Sequence, residues 1–89
     1  MKGRRLILND GTVIEDGEAG SADGVLWCWI RGYTMAEAAA IFLDREKTAV
    51  IVFQYGEDED RYEGYTECRN IMIDTDGKIS VCMTKEGNG

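Results

Sequence analysis

The segment VLWCWIRGYTMAEAAAIFL, residues 25–43, joins an apolar strand to a helix and decides how the chain is organised. Successive side chains of a strand point to opposite faces, so Trp27, Trp29 and Arg31 share one face. The opposite face carries Leu26, Cys28 and Ile30. Because both faces are apolar, the strand is either buried on both sides or half-covered by a partner. The sequence leaves open whether the tryptophans belong to the core or to a binding surface.

The helix that follows is marked by its first turn. Thr34 and Glu37 have the spacing of a capping box, which fixes the start of the helix. Apolar residues recur at helical spacing, and three consecutive alanines favour a helix and permit close approach to a sheet. We therefore predict one helix over residues 35–43.

Turn signals divide the rest of the chain into strands. Asn-Asp-Gly at 9–11 and Thr-Asp-Gly at 75–77 predict two hairpins. Residues 16–24 are predicted to form an exposed loop. The predicted strands are residues 4–8, 12–15, 25–31, 48–55, 62–74 (bulged near Gly64) and 78–84. The order is β-β-β-α-β-β-β, and we predict a single α+β domain over residues 1–89, with one twisted, mostly antiparallel sheet and one helix packed on a face.

Composition excludes most catalytic chemistry. The chain of 89 residues has no histidine, which excludes histidine general bases, Ser-His and Cys-His nucleophiles and His-ligated metals. Its three cysteines are odd in number and lack a Cys-x-x-Cys spacing, so we expect reduced, mostly buried thiols. Asp-Thr-Asp-Gly at 74–77 lacks the further ligands of a calcium loop and is predicted to be a turn. We expect no enzymatic activity, no catalytic residues, no metal and no cofactor.

The charge balance restricts the partners. With 17 acidic and 10 basic residues the net charge is −7, which repels nucleic acid and anionic membranes and attracts proteins with basic surfaces. The N-terminus is basic and then apolar, but its apolar part ends at the turn at 9–11 without a signal-peptide core. The longest apolar runs are too short to span a bilayer. We therefore expect a cytoplasmic protein with no membrane and no direct nucleic-acid partner.

The densest charge cluster follows the fourth predicted strand. The acidic run and its extension are Glu57, Asp58, Glu59, Asp60, Glu63 and Glu67. A strand over residues 62–74 would place Glu63 and Glu67 on one face, beside Tyr65. Carboxylates spaced along an edge can imitate the phosphates of nucleic acid and dock into a basic groove. The alternative is a solvated hairpin tip.

Aromatic residues supply a second candidate site. Tryptophan, tyrosine and arginine dominate interface hot spots. The candidates for protein contact are Trp27, Trp29 and Tyr33. Aromatic rings can also stack on a nucleobase while arginine meets a phosphate. The candidates for such a ligand pocket are Arg31, Arg61, Arg69 and Tyr65.

The chain resembles small uncharacterised proteins of Firmicutes phages and prophages. The segments that carry this resemblance are LNDGT at 8–12, DGVLW at 23–27, TMAEAAAIF at 34–42, DREKT at 44–48 and YEGYT at 62–66. The resemblance implies a phage gene product in the cytoplasm of an infected bacterium. Small acidic phage proteins without catalytic residues often act by occupying host proteins, as anti-CRISPR proteins do.

Three hypotheses for the function follow. The leading one is a non-enzymatic, acidic, phage-type protein that inhibits a bacterial defence component by occupying its surface, in the manner of an anti-CRISPR protein. The second is a homo-oligomeric sponge that sequesters a signalling nucleotide between subunits. The third is a tail or virion accessory protein.

Overall fold

The structure, a computed structural model, describes residues 3–85, and within them the chain forms eight strands and two short helices. The strands are β1 (Arg4–Leu8), β2 (Val13–Glu15), β3 (Glu18–Ala22), β4 (Val25–Ile30), β5 (Val50–Tyr55), β6 (Asp58–Glu63), β7 (Glu67–Ile73) and β8 (Ile79–Thr84). The helices between β4 and β5 are α1 (Met35–Phe42) and α2 (Arg45–Thr48). Strands β2-β1-β5-β6 form sheet A and strands β3-β4-β8-β7 form sheet B, and neighbouring strands are antiparallel throughout.

The prediction of an α+β chain with antiparallel strands holds in this coarse form, but the single sheet with one helix is wrong. Two short connections carry the chain from one sheet to the other. They are residues 16–17, between β2 and β3, and residues 64–66, between β6 and β7. Each begins with a left-handed residue, since φ is 59° at Asp16 and 88° at Gly64. Together with the helical segment that leads from β4 in sheet B to β5 in sheet A, these two reversals divide the strands into two sheets.

The same reversals correct two predicted segments. Segment 16–24, predicted to be a loop, contains β3, which pairs with β4 along its full length. Segment 62–74, predicted to be one strand, divides at Gly64 into the end of β6 and all of β7. The second helix, α2, was not predicted, because it lies in a charged stretch. The Asp44 carboxylate caps it by accepting hydrogen bonds from the backbone N–H groups of its first turn.

One hydrophobic core lies between the two sheets. The buried apolar residues are Leu6, Leu8, Ile14, Ala19, Leu26, Cys28, Ile30, Ala38, Phe42, Ile51, Ile79, Val81 and Met83. On β4 and β8 every second side chain is buried, as expected for strands with one face turned to a core. Helix α1 contributes Ala38 and Phe42 and packs against β7 and β8, while α2 packs against β5.

The local turn and cap predictions are confirmed. The Thr34 backbone N–H donates to Glu37 Oε1 at 2.9 Å and the Glu37 backbone N–H donates to Thr34 Oγ1 at 3.0 Å, which is the capping box. Both predicted hairpins are present, with left-handed glycines at Gly11 (φ 90°) and Gly77 (φ 88°). All three cysteines are free. Burial raises the pKa of the Cys28 thiol to about 12.

Candidate functional site

Strand β4 separates an aliphatic face from an aromatic one. Leu26, Cys28 and Ile30 are fully buried in the core, at 0% exposure. Trp27 and Trp29 lie on the opposite face, the outer face of sheet B, and are half-buried. Both tryptophans therefore lie outside the core.

The neighbours of the tryptophans on this face are small. We call the surface the tryptophan face and define it by cross-strand pairing: Glu18, Gly20 and Ala22 of β3, Val25, Trp27 and Trp29 of β4, and Ser80, Cys82 and Thr84 of β8. Glu18 is its only charged member, and it is paired with Arg4. A protein of net charge −7 thus presents a nearly uncharged aromatic surface on one side.

Strand β7 forms the margin of the tryptophan face. Met72, 47% exposed, lies opposite Ser80, and Asn70 lies opposite Cys82. A register shift between residues 68 and 70 places Arg69 at the far corner, where its Nε donates to Thr84 Oγ1 at 2.9 Å. The margin is therefore apolar and amide-bearing, with charge confined to the corner.

Gly20 leaves an opening beside Trp27. It lies directly opposite Trp27 on the same face of the sheet. A Cβ built on Gly20 would meet no atom within 4 Å, and φ at this residue lies outside the left-handed region. Neither backbone geometry nor packing therefore requires glycine here.

A cleft of about 600 Å³ opens at the end of the molecule where β4 and β5 finish. Its lining residues are Gly3, Arg4, Asp16, Glu18, Arg31, Tyr55 and Gly56. A smaller hollow of about 130 Å³ lies against Trp29 and shares Asp16, Glu18 and Arg31 with the cleft. The tryptophan face and the turn that begins the acidic hairpin therefore adjoin the same cleft.

The acidic run is a turn followed by an edge strand. Glu57 lies in the β5–β6 turn and Asp58–Asp60 open β6, which pairs only with β5 among the described strands. The Tyr55 hydroxyl donates to Asp60 Oδ2 at 3.2 Å, and this hydrogen bond raises the pKa of Tyr55. All four carboxylate-bearing residues of the run are exposed. The acidic run at 57–60 is thus mostly strand, and its exposed charges lie on an edge strand of sheet A.

The prediction that Glu63 and Glu67 share one face is wrong, although Glu63 does lie on β6 with the acidic run. Glu63 lies in sheet A and forms an ion pair with Arg61. Glu67 lies in sheet B. Its Oε2 is 3.3 Å from Arg45 Nη2 and its Oε1 is 3.8 Å from Arg69 Nη2. The break at Gly64 puts the two carboxylates on different sheets.

The structure does not bring the predicted ligand-binding arginines together. Arg61 lies in sheet A, whereas Arg31 and Arg69 lie at opposite ends of sheet B. Arg31 follows β4 and pairs with Asp76 at 3.3 Å. Each of the three is engaged by a carboxylate of this chain. Tyr65 packs against the core, edge-on to Tyr62 and under the Lys85 ammonium group.

Two further sequence features have structural roles. Tyr33, predicted to contact a partner, packs against the core cluster. The pKa of Asp76, in the turn at 74–77, is lowered to about 2. The causes are hydrogen bonding with Asp74, with the Lys78 backbone N–H and with the Arg31 guanidinium. No group of side chains suited to a metal ion occurs among residues 3–85.

Sequence reasoning missed β3 and with it a third of the tryptophan face. Residues 18–22, EAGSA, show only a weak alternation of polar and apolar side chains and contain no β-branched residue. The signal that could have identified the strand is its position, immediately before the left-handed Asp23–Gly24 turn that leads into β4. The cleft residues Arg4 and Tyr55 carried no sequence signal as a pair.

Comparison of the chain with protein-family models, with curated proteins and with solved structures finds no match. Neither helix of the described residues has the length and apolar character that crossing a membrane requires.

Proposed function

We propose that this chain is a non-enzymatic binding protein that acts by occupying the surface of a partner protein through the tryptophan face. The observation that carries the proposal is the outward position of both Trp27 and Trp29, on a sheet whose other face already supplies the core. Tryptophan is the residue most enriched in interface hot spots, and burying two of them rewards association.

The acidic hairpin gives the proposed partner its chemistry. Glu57 follows Gly56, which lines the same cleft as Glu18 of the tryptophan face, so we expect a partner seated on the tryptophan face to reach the acidic edge. Net charge of −7 steers the approach of a basic surface and repels nucleic acid. The partner we propose is therefore a protein with a basic surface next to an apolar patch.

The biological setting follows from the resemblance to phage and prophage proteins. The basic proteins that a phage would benefit from blocking include the nucleic-acid-binding components of bacterial defence, in the cytoplasm of the infected host. We propose inhibition of such a component. The nucleotide-sponge alternative gains no support, since its three arginines lie apart and are paired.

The experiment compares two double variants in a defence-proficient bacterium challenged with a sensitive phage. Trp27→Ala with Trp29→Ala removes the aromatic area of sheet B, whereas Ile7→Ala with Val52→Ala removes half-buried apolar area from the outer face of sheet A. Expression of the wild type and of the sheet A control should restore plating of the phage. The tryptophan variant should not restore plating, although its thermal melting should show that it is folded.

Affinity capture from the same cells identifies the partner. The partner should be retained by the wild type and the control and lost from the tryptophan variant. Equal capture by all three proteins, or protection that survives loss of both tryptophans, would refute the proposal.

A further inference from the structure

We infer that the tryptophan face binds an extended, uncharged, apolar segment of the partner's chain, whose backbone crosses the sheet at Gly20. This inference rests on the proposed function and names what the partner presents.

The opening at Gly20 fits a closely approaching backbone. Glycine inside a strand weakens the strand, and it marks places where a ligand or another backbone approaches closely. At Gly20 the other usual reasons are missing, since φ is not left-handed and an added Cβ would meet nothing within 4 Å. By contrast Gly17, at the corner before β3, is required because a Cβ there would lie 2.9 Å from Leu6 Cγ. Gly20 therefore leaves an empty space at the position paired with Trp27.

Charge selects the kind of segment. The nine residues that define the tryptophan face include one charge, on Glu18, and it is balanced by Arg4. Other charged side chains lie at the ends of the face, beside Trp29 and at Arg69, so a charged segment that crosses between them at Gly20 would lose water without gaining a counter-charge. Nucleic acid would also meet the repulsion of the net charge of −7. An uncharged apolar segment has no charged group to desolvate there, and it gains contact with both indoles.

Area selects an extended segment over a second copy of this chain. Four strands, each about six residues long, give a face of roughly 400 Å². A stable protein–protein interface needs about 800 Å² from each partner. Two copies would also bring two charges of −7 together. A single extended segment, by contrast, is covered by an area of this size.

The test uses a yeast-displayed library of short random peptides, selected against the intact chain. Selected peptides should be rich in uncharged apolar residues. Their affinity should fall by about tenfold or more for Gly20→Val and for Trp27→Ala. Ser21→Val is the matched control, because Ser21 lies on the same strand with its side chain on the other face, and it should bind as the wild type does. Amide chemical shifts should move on β3, β4 and β8.

Thermal melting keeps Gly20→Val interpretable. Valine fits the empty space and favours a strand, so its melting temperature should equal or exceed that of the wild type. A library that yields no peptide dependent on Gly20 and Trp27 would overturn the inference. So would binding of a neutral oligosaccharide or of oligothymidylate to this face in place of peptides.

The outcome is separable from that of the proposed function. If the Trp27→Ala, Trp29→Ala variant loses the captured partner while Gly20→Val keeps it, the face is a docking surface but not for a crossing backbone. If neither variant loses the partner, both proposals fail.

Discussion

The outer faces of the two sheets have the same architecture and opposite chemistry. On sheet A a polar row crosses all four strands, from Glu15 through Arg5 and Gln54 to Glu59. Arg5 Nη1 lies 3.8 Å from Glu15 Oε2, Arg5 Nε donates to Gln54 Oε1 at 3.0 Å, and Gln54 Nε2 donates to Glu59 Oε1 at 3.3 Å. On sheet B the equivalent rows hold Trp27 and Trp29 among small residues.

The outer face of sheet A combines this row of paired polar side chains with apolar residues such as Ile7 and Val52, whereas the tryptophan face carries aromatic rings. Sheet A satisfies its polar groups within the chain, so a partner would have to displace those bonds. The tryptophan face offers aromatic area whose burial costs little desolvation. One apolar face of β4 is enough to supply the core, yet β4 carries apolar side chains on both of its faces.

The largest expected effect contrasts the two faces of β4. Leu26→Ala should lower the free energy of unfolding by about 2–5 kcal/mol, since Leu26 is fully buried between the sheets. Trp27→Ala, one residue away, should cost about 1–2 kcal/mol, because its side chain is only half-buried. Urea unfolding of both variants measures the difference. Equal losses would mean that Trp27 belongs to the core after all.

The second effect concerns association at the acidic edge. Reversal of Glu57, Asp58, Glu59 and Asp60 to Lys should weaken capture of the partner, and mostly at low salt, because exposed charges are screened beyond about 8–10 Å at physiological ionic strength. The association rate should fall more than the dissociation rate rises. Surface plasmon resonance at two salt concentrations measures both. Capture that is unchanged at low salt would remove the acidic edge from the site.

The smallest expected effect comes from an exposed ion pair between the β1–β2 turn of sheet A and α2. Lys47 Nζ donates to Asp10 Oδ2 at 2.7 Å, which lowers the pKa of Asp10 and raises that of Lys47. A depressed carboxyl pKa adds stability that is present above its unfolded value, about 3.9, and is lost as the pH falls below it. The raised Lys47 pKa adds stability that is lost above its unfolded value, about 10.4.

Asp10→Asn should therefore lower the melting temperature slightly at pH 6 and by less at pH 3. The matched control is Asp23→Asn, which removes the same charge from the β3–β4 turn. The pH dependence of the melting temperature for both variants decides the point. A loss for Asp10→Asn that grows towards pH 3 would contradict the assigned pairing.

Local signals predicted more of this fold than long-range ones. The capping box at Thr34 and the hairpin glycines Gly11 and Gly77 act within a few residues, so the sequence predicts them correctly. The alternation on β4 also sorted its two faces correctly. What the sequence could not assign was the number of sheets, because that depends on the reversals at Asp16 and Gly64.

The candidate site was predicted in part for the same reason. Trp27 and Trp29 share a face by simple alternation, but only the burial of the opposite face, Leu26, Cys28 and Ile30, identifies theirs as the outer one. Tyr33 is close in sequence to the tryptophans and yet packs against the core, because the chain turns at Gly32 (φ 85°).

The most direct test of the account needs no partner, since the chain has two tryptophans and both lie on one face. Acrylamide quenching of the native protein should reach both indoles, and the single variants Trp27→Phe and Trp29→Phe should each retain a quenchable emission. Emission that resists acrylamide until the protein is unfolded would place the tryptophans in the core and contradict the tryptophan face as a binding surface.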